Sequence, residues 1–442
     1  MEKDFMHNEV RLVLAGRWLV SIDGEVREET GISVAVAGDS IAEIGPDLAA
    51  KYPQAELLAC PHGLIMPGLV NVHTHAAMSC FRGLADDLPL MDWLTQHIFP
   101  REAQLTKEIV YHATLLSICE MIKSGTTSYN DMYLFTKEAA RAAADAGMRA
   151  WIGEAFFDFP SPNYGELENG FAYVEELFSA YEDSDLIKIT VNPHAVYTCS
   201  PTLLQRAAAL AERKNALLHI HLAETRDEVQ GCAEKYGCTP ARHLERLGLL
   251  NERTVAAHCV MLDDEEIALL ARRGVKVAHC PESNMKLASG IAPAQKMLGG
   301  GVTIGIGTDG SASNNDLDMF GEMSTAAKLH KVRDLDPTAM SAETVLRAAT
   351  LGGAEVLGAA DKIGSVAVGK KADLIMLNLR QPHLCPLHNP VSQLVYAAKG
   401  SDVIHSVVNG RVVMRDRRLT TLNEAAVLAE MERIGETIRH MS

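Results

Sequence analysis

The chain has 442 residues, 47% of them hydrophobic, and a formal charge of −16. That is enough apolar material for a large core, and the wrong sign for nucleic acid or an anionic membrane as the main partner. Nine cysteines, an odd number with no Cys-x-x-Cys pair, exclude a disulfide framework and a thiolate zinc site.

Met1-Glu2-Lys3-Asp4-Phe5 lacks the basic start and apolar core of a secretory leader, and no apolar run approaches the ~18–20 residues of a membrane span. A cytoplasmic protein is expected. Residues 10–65 read as short strands: 11–16 and 32–37 run apolar or alternate, with tight turns at Asp23-Gly24 and Gly38-Asp39. An apolar run then ends in two histidines, Val70-Asn71-Val72-His73-Thr74-His75. Side chains alternate faces along a strand, so His73 and His75 project to the same side.

Beyond them, apolar strand candidates alternate with helical patterns, the signature of βα units. The eight candidates are 69–75, 126–131, 149–157, 187–194, 217–222, 254–259, 275–280 and 302–307. Helices are predicted over 107–124, 136–146, 201–214 and 263–273, several stopping at a glycine (Gly125, Gly147, Gly274). Residues 373–378 and 403–413 return to β character, with Asn409-Gly410 as a hairpin signal. Neither β-rich end is large enough for a good core alone, so the two are expected to pack together. The predicted fold class is α/β: a (β/α)8 TIM-type barrel over 66–361, a small β-sandwich satellite domain from 1–65 and 362–422, and a C-terminal helix over 423–442.

In such a barrel the chemistry sits at the C-terminal ends of the strands. Those ends carry His73 and His75, then His194, then His221 and Glu224, then His258 and finally Asp309. Three neutral imidazoles (His73, His75, His221) and one carboxylate (Asp309) suit a single divalent ion, zinc first, with room for a water. Such an ion brings the pKa of water from 15.7 towards about 7. Glu224 stands just past a ligand, where a proton carrier belongs, and His258 across the mouth, where it would orient the water. Plainer roles exist for each: a solvated loop carboxylate for Glu224, a helix cap for Asp309, a satisfied core histidine for His258. His219 shares a face with His221, which lies nearer the strand's end and is preferred as ligand. His279 is read as structural. Lys188 opens its strand rather than ending it, so no lysine is placed to bridge two metals.

The run Pro67-Gly68-Leu69-Val70-Asn71-Val72-His73-Thr74-His75, with His221-Leu222-Ala223-Glu224, Ala257-His258-Cys259 and Gly307-Thr308-Asp309-Gly310, resembles the amidohydrolase superfamily. Within it the chain is similar to the 5-methylthioadenosine/S-adenosylhomocysteine deaminases. Arg82-Gly83-Leu84-Ala85-Asp86-Asp87, Asp92-Trp93-Leu94, the stretch from Cys280 to Gly290, and Ser311-Ala312-Ser313-Asn314-Asn315 carry that likeness. The resemblance implies hydrolytic deamination of an adenine ring at C6, with Glu224 giving a proton to N1 and ammonia leaving. It implies Glu102 on the ribose hydroxyls, His194 on the nucleoside and Trp93 as an apolar wall for the 5′ substituent, with Glu224 and Asp309 bordering the substrate. It also implies a homo-oligomer. Glu102 as a helix N-terminal charge and Trp93 as a plain core residue are the competing assignments.

Members that accept S-adenosylhomocysteine resemble one another in carrying arginines after strand three. Here residues 151–186 include Glu154, Asp158 and Glu166 but no arginine or lysine. Repulsion of a carboxylate tail is therefore expected. Methylthioadenosine is the predicted substrate, adenosine and 5′-deoxyadenosine weaker ones, and S-adenosylhomocysteine a poor one. The alternative is another mononuclear amidohydrolase, a guanine deaminase or triazine-type chlorohydrolase. A non-catalytic barrel would be expected to have lost ligands, and a polynucleotide deaminase would carry a His-x-Glu with Pro-Cys-x-x-Cys signature, which is absent.

Overall fold

The structure, a computed structural model, describes residues 9–23 and 25–441. Residues 1–5, read above for a leader, Gly24 of the first predicted turn and Ser442 of the closing segment lie outside the described residues. Seven strands precede the His-x-His strand: β1 (Val10–Ala15), β2 (Trp18–Asp23), β3 (Glu25–Thr30), β4 (Ser33–Ala37), β5 (Ser40–Gly45), β6 (Glu56–Ala59) and β7 (Gly63–Pro67). The parallel strands follow: β8 (Leu69–Thr74), β9 (Thr126–Tyr133), β10 (Arg149–Phe156), β11 (Ile187–Ile189), β12 (Asn192–Pro193), β13 (Leu218–Leu222), β14 (Thr254–His258), β15 (Lys276–His279) and β16 (Thr303–Ile306). The chain ends with β17 (Leu374–Asn378), β18 (Val403–Val408), β19 (Arg411–Arg415), β20 (Arg418–Leu419) and a helix, Glu424–Arg439.

Both chain ends share sheets. One is ordered β5-β4-β1-β6 and the other β20-β19-β18-β17-β7-β2-β3. Leu12, Leu14, Val34 and Val36 of the first form one buried cluster with Ile65, Leu374, Met376 and Val407 of the second. Asn409 and Gly410 turn the β18–β19 hairpin with φ of 51° and 75°, as that dipeptide favours. Met66 and Pro67 pair with Ile375 and Leu374, so the chain passes from this sheet into β8 with one residue, Gly68, between.

The parallel strands form two groups, β11-β10-β9-β8 with β12 also on β10, and β13-β14-β15-β16. Bridges Val191–Leu218 and Ala195–His221 join the groups on one side. On the other, the Asp309 N–H donates to His73 O at 3.0 Å and Thr308 N–H to Asn71 Oδ1 at 3.1 Å. Helices Lys107–Lys123, Thr136–Ala146, Pro201–Lys214 and Asp264–Arg273 fall where predicted. Gly147 and Gly274 cap two of them in left-handed conformation, where a Cβ costs most. Among the described residues no helix is long and apolar enough to cross a membrane.

The strand predicted over 187–194 is two pieces. At Val191 the backbone turns its N–H to Leu217 O, and pairing with β10 resumes at Asn192 opposite Ala155. The Asn192 amide then donates to Asp131 O and Gly153 O, at 3.1 and 3.0 Å. Only a glycine at 153 leaves room for it, since a Cβ there would stand 2.4 Å from Asn192 Nδ2.

Candidate active site

The tips of the parallel strands hold an unusual run of non-glycine residues with positive φ: Ala223 (51°), His258 (70°), Cys259 (50°) and Asp309 (62°). Left-handed backbone costs an L-residue on the order of 1–2 kcal/mol, and such residues gather at functional sites. All four belong to or adjoin residues singled out above.

His73, His75 and His221 bring one nitrogen each to a common point, all three within 4.8 Å of one another. Asp309 Oδ1 lies 3.3 Å from His73 Nε2 and 3.2 Å from His75 Nε2, and His75 Nε2 lies 3.2 Å from His221 Nε2. His73, His258 and Asp309 also fall within one ion's reach, so His258 stands closer to the ligand set than its predicted role requires.

The tautomers test whether a cation fits. A carbonyl only accepts, so the contacts of His75 Nδ1 with Met132 O and of His221 Nδ1 with His194 O (2.8 Å) place a proton on each Nδ1. Neutral rings then aim bare Nε2 lone pairs at each other and at Asp309 Oδ1. Three facing acceptors repel unless a positive charge sits between them, and this donor set suits a divalent ion. Burial pushes the His73 ring down to about 4 and carries His221 well below its usual range, which keeps both neutral. Burial also opposes charge on His75, yet Asp309 and the Met132 carbonyl hold that ring up to about 9, a measure of how strongly the spot favours a cation. Burial works to raise Asp309, but His73 and His75 hold its carboxyl well below the carboxylate range.

Supporting contacts define each ligand. Ser283 and Ser313 hydroxyls donate to Asp309 Oδ2 at 2.6 and 2.9 Å, leaving Oδ1 toward the histidines. The Gly310 N–H also donates to Oδ1, so Asp309 serves its own turn as well. His219 is fully buried behind His73, its Nε2 3.0 Å from His73 Nδ1, and Asn130 lies against its other nitrogen. His221, and not His219, therefore reaches the ligand cluster. His258 Nδ1 donates to Asn284 Oδ1 at 2.9 Å, and its Nε2 stands 3.8 Å from Glu224 Oε2. Glu224 is 4% exposed, with Ser289 Oγ 3.3 Å from its other oxygen. Burial pushes its carboxyl up, with His258 pulling the other way.

One cavity opens over this cluster. His75, His194, His221, Glu224, His258 and Asp309 line its floor, and Leu90, Trp93, Leu94, Phe99 and Phe157 line its apolar side. Glu102 lines it too, at the end of the short helix Phe99–Glu102 that follows a π-helical turn over Trp93–Ile98. Thr106, not Glu102, caps the next helix, accepting from the Ile109 N–H. Burial raises the Glu102 carboxyl, with Tyr133 opposing. His194 Nδ1 lies 2.9 Å from Thr198 Oγ1, which itself donates to Ala195 O, so its Nε2 faces the cavity as an acceptor.

One expectation needs correction. Glu154 and Asp158 do not face the cavity. Glu154 accepts from the Phe135 and Thr136 N–H groups and from Asn163 Nδ2, and Asp158 accepts from the Ser200 N–H. Backbone donors at helix starts take both carboxylates, the buried Glu154 and the exposed Asp158. What the cavity lining does lack is any lysine or arginine. His279, read as structural, has its Nε2 2.9 Å from the Nε2 of the buried His330. Lys188 is spent on Ser184 O, at the opening end of its strand. Sequence reasoning missed Asn284, Ser283, Ser289, Ser313 and Asn130. Four of these lie inside the quoted 280–290 and 311–315 stretches, which were the available signal.

The Amidohydrolase family model matches residues 64–413. The 5-methylthioadenosine/S-adenosylhomocysteine deaminase of Syntrophobacter fumaroxidans is 53% identical over 430 residues, 97% of this chain and 98% of its own. The 5′-deoxyadenosine deaminase of Methanothermobacter thermautotrophicus is 47% identical over 83% of this chain and 85% of its own. The crystal structure of an adenosine deaminase from Xanthomonas campestris with bound zinc matches with a TM-score of 0.95 at 41% identity, covering 98% of this chain and 99% of that one. The chain belongs to the amidohydrolase family.

Proposed function

We propose that this chain hydrolyses the C6 amino group of adenine nucleosides, converting 5′-methylthioadenosine to 5′-methylthioinosine and ammonia. The observation that carries the reading is one cavity with two polar poles. His73, His75, His221 and Asp309 converge on one point, and Glu102, outside that group, lines the cavity over it. A free base or a triazine has no diol for Glu102, which argues against the guanine deaminase and chlorohydrolase alternatives.

In this reading His73, His75, His221 and Asp309 hold one divalent ion, zinc first. That choice draws on the N/O donor set and on the zinc in the Xanthomonas structure. Once bound, the ion makes hydroxide available near neutral pH. The protein's own groups do the rest. Glu224, kept out of water, gives a proton to ring N1 as oxygen adds to C6, then takes the proton of the added hydroxyl and passes it to the departing amino group as the C6 carbonyl forms. His258, oriented by Asn284, holds the water side of that exchange. Glu102 accepts from the ribose hydroxyls, His194 contacts the nucleoside, and Trp93 packs on the 5′ group.

A carboxylate tail would meet Glu102, Glu224 and Asp309, and no lysine or arginine is among the described lining residues. S-adenosylhomocysteine is therefore the poorer substrate. The test is steady-state deamination of both compounds, followed by loss of the adenine absorbance band. A kcat/KM ratio of at least about tenfold for methylthioadenosine is expected, and equal values sink the preference.

The same reading takes the parallel strands as a closed (β/α)8 barrel over 66–361. The bridges at one edge of the two strand groups and the hydrogen bonds of Thr308 and Asp309 at the other support that closure. It also takes 1–65 with 362–422 as a β-sandwich satellite, supported by the buried cluster the two terminal sheets share, and 423–442 as a closing helix.

A further inference from the structure

Glu228 sits in the first turn of the helix Arg226–Tyr236, four residues beyond Glu224, and does not border the substrate cavity. Its carboxylate is buried and turned back on the strand tip. Oε1 accepts from the Ala223 N–H at 3.0 Å and Oε2 from the Glu224 N–H at 2.7 Å. Between these two N–H groups lies the left-handed backbone of Ala223. The Ala223 carbonyl is held as well, accepting from the Val260 and Met261 N–H groups at 3.0 and 2.8 Å. Thr225 caps the helix and accepts from the Glu228 N–H, which fixes where the Glu228 side chain starts. A buried carboxylate is costly unless its lone pairs are met, and here two consecutive backbone donors meet them.

We propose that Glu228 is a positioning residue for the proton carrier. By clamping the Ala223 and Glu224 N–H groups it fixes the left-handed turn that aims the Glu224 carboxyl at the reacting ring. This rests on the deaminase reading above. Glu228 touches neither the substrate nor the metal ligands, so it acts only through Glu224.

Glu228→Gln keeps the size of the side chain but turns an amide hydrogen against one of the two N–H groups. Its steady-state kinetics on methylthioadenosine are measured beside the wild type, Glu224→Gln and the double variant, each with metal content and Tm. The expected result is a kcat at least about tenfold lower, a KM within about threefold, and metal content and Tm near wild type. In the Glu224→Gln background the same change should lower kcat by less than about twofold, because its target is already gone. Should Glu228→Gln not fold, Glu228→Asp, which keeps the charge but cannot reach both donors, carries the same measurements.

A kcat within about twofold of wild type overturns the assignment. So does an equal loss in both backgrounds, or a fall in kcat, metal content and Tm together, which marks a merely structural role. A wild-type enzyme that deaminates no adenine nucleoside overturns the functional reading itself, and the assignment with it.

Discussion

His75 and His221 face each other Nε2 to Nε2 at 3.2 Å, each with its Nδ1 directed to a backbone carbonyl. Two bare lone pairs at that separation repel unless a proton or an ion lies between them, and a bound ion displaces the proton, so ion binding and folding should be linked. Chelation is expected to release the ion and lower Tm, by up to about 2.7 kcal/mol of stability when the free ion had stood at a hundredfold over its Kd. His221→Ala should lose the ion and the Tm response together. Metal analysis with thermal melts, both before and after chelation, checks this. A Tm indifferent to chelator argues against the pair as ligands.

Glu224→Gln keeps shape and removes the exchangeable proton. A kcat roughly 10²–10⁴-fold lower is expected, with the ion retained. Full activity in this variant would remove Glu224 from the chemistry.

In the proposed reading Glu102 meets the sugar and not the base. Glu102→Ala should cut kcat/KM on methylthioadenosine and adenosine by roughly 10–100-fold, the loss of one or two charge-assisted hydrogen bonds. Any activity on free adenine should be unchanged. An equal loss on base and nucleoside would place Glu102 elsewhere.

Arg149 and Asp373 form a buried bidentate pair, with Nε to Oδ2 at 2.6 Å and Nη2 to Oδ1 at 3.1 Å. It ties the start of β10 to the residue before β17, and Asp373 also accepts from the Asn409 N–H. Asp373→Ala leaves a buried guanidinium without its partner, so a loss of about 3–5 kcal/mol is expected by chemical denaturation. Activity of the folded fraction should persist.

Glu154 gives stability a pH dependence. Burial lifts its carboxyl to about 7 in the folded chain, with the Thr136 N–H and Asn163 opposing, against an ordinary 4.5. The folded state therefore holds a proton that the unfolded state has released. Its contribution favours folding below about 4.5 and is lost as pH rises to about 7, for about 3 kcal/mol in all. Glu154→Gln should flatten that slope in denaturation curves taken between pH 5 and 7, and an unchanged slope would assign it to other groups.

Period and spacing made much of this legible. The alternation of a strand puts His73 and His75 on one face, and strand-end placement points to His221, His258 and Asp309, which the structure brings into the same cluster. What stayed hidden depends on contacts far apart in the chain. No local pattern shows that Glu154 turns to the Thr136 N–H, that Asn284 orients His258, or that Val191 interrupts a strand to reach Leu217. Small polar residues such as Ser283 and Ser313 carry little signal singly, since their roles come from the carboxylate they meet.

The left-handed residues at the strand tips have a practical corollary. Ala223, His258, Cys259 and Asp309 occupy backbone that a β-branched side chain tolerates poorly, so those positions leave little latitude for redesign. Altering which molecules the enzyme accepts is a task for the Leu90–Glu102 wall, where helical backbone admits most residues at small cost.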